Sequence, residues 1–285
     1  MDSLETDLQV VSYVKAAFLT LLAYDTILHI GQEYRYVWKS RWSVVKILYL
    51  WTRYSTFIDT ILAVQERVDF SRDASSCNRI MTFTTIFAGF GIGVAEIILM
   101  IRTYALYERS KKLLVFFTVI WFAAGGVNFW AVIQWTRSFK TEAAPSVGSA
   151  CYLSGSDGGI GLVCYTSLLA GETLIVILTL WKALRNVHLQ RSKLVTSFYR
   201  DGVLFYLAIL PFSVANVAIL FLAPPGLNLI ADTPLRVMHS ILCCHLITHV
   251  RSTALQDEET ETRSALIFAK SPKSGGTYDV RSDFV

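Results

Sequence analysis

Seven apolar runs, each near the length needed to cross a bilayer, constrain this chain more than any other feature of it. They lie near Val11–Gly31, Val44–Val64, Ile80–Thr103, Leu113–Trp135, Ile160–Trp181, Val203–Leu222 and Arg236–Val250. A helix rises about 1.5 Å per residue, so roughly 20 residues span a hydrocarbon core of about 30 Å. That core offers the backbone no water, and helices satisfy their polar groups internally. Composition agrees: 53% of the 285 residues are hydrophobic and 17% are charged, where a soluble domain carries about 25% charged residues. The expected fold class is therefore all-α, a polytopic bundle of seven transmembrane helices over residues 11–250. Such an allocation leaves no room for a separate soluble catalytic domain, and it excludes a nucleic-acid-binding or largely disordered chain. Lys15 precedes the first run like the basic end of a signal peptide. Asp25 and His29 interrupt that run, however, and no small-x-small cleavage site follows, so a retained anchor is expected. Pro234 suits a first-turn position at the start of the last helix.

Basic residues set the orientation. Arg35, Lys39, Arg41 and Lys46 follow the first run, Arg102, Arg109, Lys111 and Lys112 the third, and Lys182, Arg185, Arg191, Lys193 and Arg200 the fifth. The alternate connections hold fewer basic residues, diluted by Glu66, Asp69, Asp73, Glu142, Asp157 and Asp232. The positive-inside rule then places a short N-terminus (1–10) outside and the C-terminus in the cytosol. Most tryptophans, among them Trp38, Trp42, Trp135 and Trp181, fall near run ends, as interfacial aromatics do. The expected location is a plasma or secretory-pathway membrane. Residues 251–285 read as a disordered cytosolic tail, with an acidic stretch at Asp257–Thr262 and a breaker-rich one at Ser271–Gly276. The lipid bilayer is the first partner, and the basic loops and tail offer a surface to a cytosolic signalling partner; no nucleic-acid partner is implied.

Ionisable residues inside a span face the bundle interior and find partners there. Asp25, Arg53 and Glu96 fall at similar depth when counted from the run ends, and they are expected to form an intramembrane polar cluster. Asp59 and Glu172 are candidates to face a cationic ligand from outside, with interhelical hydrogen bonding as the competing role. His245 and His249 share a helix face at i,i+4, as do Asp25 and His29. Helices one and seven are neighbours in a closed ring, so His29, His245 and His249 with Asp25 form a candidate zinc set for amide or ester hydrolysis. The leading expectation is nevertheless no metal, no cofactor and no catalytic residue. Arg102-Thr103-Tyr104 at the cytosolic end of helix three stands where seven-helix receptors keep an acidic-Arg-Tyr triplet, without the acidic residue. Helix seven has no lysine for a retinal Schiff base. No phosphate-binding loop, nucleophile elbow or His-Glu-x-x-His motif is present. Gly89-x-Gly91-x-Gly93 reads as close helix packing.

Cys77 and Cys151 both lie on the expected outer side, where disulfides persist, and either bridge the long fourth-to-fifth connection to helix three or remain unrelated thiols. Cys164, Cys243 and Cys244 fall in spans and read as small packing residues.

Ala23-Tyr24-Asp25, Glu33-Tyr34-Arg35-Tyr36-Val37-Trp38, Trp42, Lys46-Ile47-Leu48-Tyr49-Leu50 and Arg53-Tyr54 together resemble the N-terminal domain of unknown function found in many fungal, chiefly basidiomycete, multi-pass membrane proteins. The resemblance runs over residues 13–64; Arg102–Tyr107 and the Cys77/Cys151 pair also look like that family. It implies a seven-helix membrane protein and nothing enzymatic. The expected function is that of a receptor-like or sensor-like protein responding to an extracellular or lipid ligand. The alternatives are a membrane-embedded metal-dependent hydrolase using the His/Asp set of helices one and seven, and a small-solute transporter or scaffold.

Overall fold

A computed structural model describes residues 2–68, 74–144, 150–187, 193–224 and 226–270. Among them the chain forms seven α-helices: α1 Asp2–Glu33, α2 Val44–Val68, α3 Ala74–Leu106, α4 Lys111–Arg137, α5 Gly158–Val187, α6 Lys193–Leu222 and α7 Asp232–Lys270. A π-helical turn, Tyr34–Trp38, prolongs α1. Lys46 closes the α1–α2 connection by donating from Nζ to the carbonyls of Trp38 (2.9 Å) and Ser40 (3.0 Å). Each helix packs against the next, and α7 returns to α1, so the helices make a closed ring, with α3 also reaching α5 and α7.

Two departures from the sequence reading concern the ends and the α4–α5 connection. α7 does not stop near Val250 but runs to Lys270, so the tail expected to be disordered from Arg251 is helical over its first part. The reason is local: residues 251–270 contain neither Gly nor Pro, and Pro272 is the first breaker. Residues 271–285, including the whole Ser271–Gly276 stretch, lie outside the described residues. The α4–α5 connection holds a small antiparallel hairpin, β1 Lys140–Ala144 and β2 Ala150–Gly155, with Ala143 opposite Cys151 and an irregularity between Lys140 and Thr141. Both strands lie against α3, and β2 also meets α2.

The helices divide by what surrounds them. Leu4–Trp38, Ser75–Leu106, Lys111–Arg137 and Gly158–Lys182 are long and apolar enough to cross a membrane, and Leu207–Leu222 is a shorter apolar helix. α4 is the peripheral extreme, with Val115 62%, Phe122 67% and Phe129 66% exposed. A helix apolar on its exposed faces needs an apolar surround. α7 is the opposite case: from Ala231 to Val250 not one residue is exposed. Its apolar side chains, with those of α3, α5 and α6, build the main core around Ile98, Leu99, Ile175, Ile209 and Leu246. α2 and α7 fall outside the long apolar set because charged and polar side chains interrupt them, and among the described residues Arg53, Asp59, Arg236 and His239 are buried in protein.

A second core of Met81, Trp135, Phe139 and Leu153 seats the hairpin on the bundle. Gly161 makes this contact possible, since a Cβ there would lie 2.8 Å from the Trp135 ring. Gly161→Ala is expected to destabilise the protein by about 1–3 kcal/mol through overpacking. Gly125→Ala on α4, where a Cβ meets nothing within 4 Å, is expected to be neutral or mildly stabilising. Thermal unfolding of the two variants in detergent checks the contrast.

Candidate functional site

Polar side chains recur along α7 every few residues, and because the helix is enclosed, each turn meets a different neighbour. Asp232 accepts hydrogen bonds from the Tyr165 hydroxyl of α5 and from Asn216 Nδ2 of α6 (3.3 Å). Arg236 donates from Nε to Asp59 Oδ2 (2.8 Å) and from Nη2 to Ser55 Oγ (2.7 Å), both on α2. His239 Nε2 lies 2.8 Å from Glu172 Oε1 of α5. Ser240 donates to the Thr52 carbonyl at 2.9 Å, and Cys243 Sγ faces the Ala95 carbonyl of α3 at 3.8 Å. His245 Nε2 lies 2.7 Å from Asp25 Oδ1 of α1. Beyond the enclosed stretch, Arg251 donates from Nη1 to the Tyr36 carbonyl and Ser40 Oγ, both at 2.9 Å. Partial burial lowers the Arg251 pKa from the ordinary arginine value, too little in practice to discharge a guanidinium. One glycine admits the ladder's largest member: a Cβ on Gly91 of α3 would lie 2.1 Å from Arg236 Nη2.

The second feature is a cluster around Arg53, which is 1% exposed. Its Nη1 donates to Asp25 Oδ2 at 2.6 Å, and its Nε lies 3.9 Å from Glu33 Oε2. Glu33 Oε1 in turn accepts from Tyr54 Oη (2.6 Å) and Trp38 Nε1 (3.0 Å). The π-helical turn thus folds Trp38 back onto the carboxylate five residues before it. His29 Nδ1 approaches the Asp25 carbonyl (2.8 Å) and carboxylate (3.2 Å), and its ring stands 4.4 Å from that of His245.

The structure joins Asp25 to Arg53 but places Glu96 elsewhere. Glu96 belongs with Glu172 and His239, and the second carboxylate beside Arg53 is Glu33. Each group includes a residue of α7, His239 with Glu96 and His245 with Asp25. His239 and His245 are six residues apart, which separates their levels by about 9 Å along the axis, so Glu96 meets the former and Asp25 the latter. Glu33 carried a signal that the apolar count passed over: with Asp25 and His29 it falls at i, i+4, i+8 on one helix face. Asp59 and Glu172, read as candidate ligand-facing residues, are held by Arg236 and His239 respectively. Of the candidate zinc residues, His29 and His245 converge with Asp25, while His249 is not in that group. In the Arg102-Thr103-Tyr104 segment the wholly buried member is Thr103, whose hydroxyl lies 3.3 Å from Thr179 Oγ1 of α5; Arg102 and Tyr104 are half-buried. Cys77 is buried at the start of α3, and the Cys151 side chain lies outside the described residues.

A small cavity of about 70 Å³ opens where α1, α2, α3 and the start of α7 meet. Its polar walls are Lys15, Asp59, Asp232 and Arg236 with Thr60 and Thr84. The cavity therefore touches the first two rungs of the α7 ladder, and it presents charges of both signs.

Residues 13–58 match a family of unknown function, DUF6533. The match encloses Asp25, Glu33, Trp38, Arg53 and Tyr54, the whole of the Arg53 cluster that α1, the π-helical turn and α2 supply. No curated protein matches the sequence.

The Arg236–Asp59 pair provides the direct test of the ladder. Asp59→Leu leaves a buried guanidinium uncompensated and is expected to cost about 3–5 kcal/mol, whereas the double variant Asp59→Leu/Arg236→Met should recover most of that loss. Thermal or denaturant unfolding of both variants in detergent measures the difference.

Proposed function

We propose that the protein is a receptor-like or sensor-like membrane protein of seven spans, in which a small polar ligand in the cavity at the head of α7 biases how α7 packs against α2. The observation that carries this reading is the contact between that cavity and the Arg236–Asp59 pair. A zwitterionic solute, such as an amino acid, offers a carboxylate to Lys15 and Arg236 and an ammonium to Asp59 and Asp232. It would compete directly for the bond that joins α2 to α7. A ligand shifts an equilibrium only by its differential affinity for two states, and an ion pair that a ligand can replace is one source of that difference.

The seven-span reading is supported by the ring order of the helices and by their length: α2 has 25 residues and α7 has 39. Among the described residues, Arg53, Asp59, Asp232 and Arg236 are paired inside the bundle, so they do not oppose insertion as lipid-facing charges would. The basic connections argue for an outer N-terminus and a cytosolic C-terminus, in a plasma or secretory-pathway membrane. The cavity then opens outward. Arg35, Lys39, Arg41 and the extension of α7 lie on the inner side, where they meet anionic lipid or a cytosolic signalling partner. A Cys77–Cys151 bridge would pin β2 to α3 beside the cavity; the packing of the hairpin on α3 supports it, and a bridged peptide in a non-reducing digest tests it. Membership of the fungal multi-pass family rests on the motif over residues 13–64.

A second reading, hydrolysis at a metal on Asp25, His29 and His245, draws on the convergence of those three side chains. Against it, Asp25 already binds Arg53, and both imidazoles already reach Asp25.

The deciding experiment is a thermal-shift panel of amino acids, short amines and lysophospholipids on the protein in nanodiscs, followed by uptake into proteoliposomes. The reading expects an amino acid to raise the unfolding temperature, an effect lost in Lys15→Met, with binding but no uptake. A flat panel contradicts it, and concentrative uptake makes the protein a transporter.

A further inference from the structure

Glu96 of α3, Glu172 of α5 and His239 of α7 offer ligand atoms that all lie within 4.8 Å of one another, and all three side chains are buried, at 7%, 2% and 0% exposure. Among the described residues, Glu96 Oε1, Glu172 Oε2 and His239 Nδ1 have no hydrogen-bond partner. Among the described residues, no lysine or arginine is ion-paired with either carboxylate; the arginine one turn away on α7, Arg236, is bound to Asp59 and Ser55. Two carboxylates enclosed together are stable only with a bound proton or a countercharge, since an isolated buried carboxylate is strongly disfavoured, and a metal ion is one source of that countercharge.

We propose that Glu96, Glu172 and His239 form a binding site for a single divalent transition-metal ion such as Zn²⁺ or Mn²⁺, which ties α3, α5 and α7 together. Two carboxylates and a neutral imidazole neutralise such an ion. The mixed oxygen and nitrogen set suits first-row divalent metals better than Ca²⁺ or Mg²⁺, which take all-oxygen shells. Atoms sharing one tetrahedral ion at about 2.0–2.1 Å stand roughly 3.3 Å apart, so the three groups need only small side-chain adjustments to close on a metal. The site is separate from the Asp25, His29 and His245 group by its level on α7, and the inference does not rest on the receptor reading. Three protein ligands leave a position for water, so the ion is able to respond to a ligand or to act as a Lewis acid as well as to brace the helices.

The test uses the full-length protein, purified in detergent on a tag that binds no metal, stripped with EDTA, then dialysed against ZnCl₂ or MnCl₂ and analysed by mass spectrometry for metal content. The wild type is expected to retain about one equivalent and to gain thermal stability with the metal. Glu96→Gln/Glu172→Gln and His239→Ala should each bind at least about tenfold more weakly. The double variant His29→Ala/His245→Ala should bind like the wild type. The amide variant keeps the side-chain shapes and removes a like-charge pair, so it should run as a monodisperse species. Glu96→Gln alone leaves the Glu172–His239 contact in place and must also weaken binding. Cobalt substitution should give a visible ligand-field band in the wild type and none in the amide variant. Absence of metal in the wild type overturns the proposal. So does full occupancy in the amide variant, or loss of metal only on removing His29 and His245.

Discussion

A charge enclosed by a helix bundle must be answered within the bundle, and α7 is where this constraint is concentrated. Not one residue from Ala231 to Val250 is exposed, yet this stretch carries an aspartate, an arginine and three histidines. Each of Asp232, Arg236, His239 and His245 is met by a polar side chain from another helix. From Asp232 to His245 those partners come from α5 and α6, then α2, then α5 again, then α1. Removing one partner of such a pair leaves a charge with no solvent to accept it, which is why buried pairs are costly to break even when they add little net stability. The same constraint explains why α4, with almost no polar work to do, is apolar and stands at the edge.

The sequence made the number and placement of the helices legible, because apolar runs of about 20 residues leave few alternatives. Asp25 with Arg53 was legible as well, by depth. Glu96 was not: counting along separate helices gives height but not azimuth, and Glu96 turns toward Glu172 of α5 and His239 of α7. Glu33 was hidden by a boundary drawn at Gly31, where the apolar run ends but the helix continues into a π turn. Arg236, the first residue of the last apolar run, was not among the candidate site residues, yet it is the buried partner of Asp59. The extension of α7 to Lys270 was obscured by acidic composition, which a helix tolerates well when no Gly or Pro interrupts it.

The N-terminal segment that matches the family of unknown function gains a physical account from this arrangement. The Asp25, Glu33–Trp38 and Arg53-Tyr54 elements of this segment are the parts of one hydrogen-bonded unit: Trp38 and Tyr54 hold Glu33, and Asp25 holds Arg53. His245 of α7 then docks on Asp25, so the unit forms the seat on which α7 rests at that level. α7 touches both the polar cavity and the Arg53 unit. This gives the proposed ligand response a physical route, a chain of side-chain pairs on one helix, whose rearrangement at one end changes the packing at the other.

The enclosure of α7 is the claim on which these arguments depend, and site-directed spin labelling in bilayers measures it directly. Single labels placed along residues 233–248 and, for comparison, 115–130 report accessibility to oxygen, which concentrates in the hydrocarbon. The account predicts uniformly low oxygen accessibility around the whole circumference of α7 and high values on most of α4. An oscillation of about 3.6 residues along α7, with peaks as high as those of α4, would mean that α7 presents a face to lipid and would contradict it.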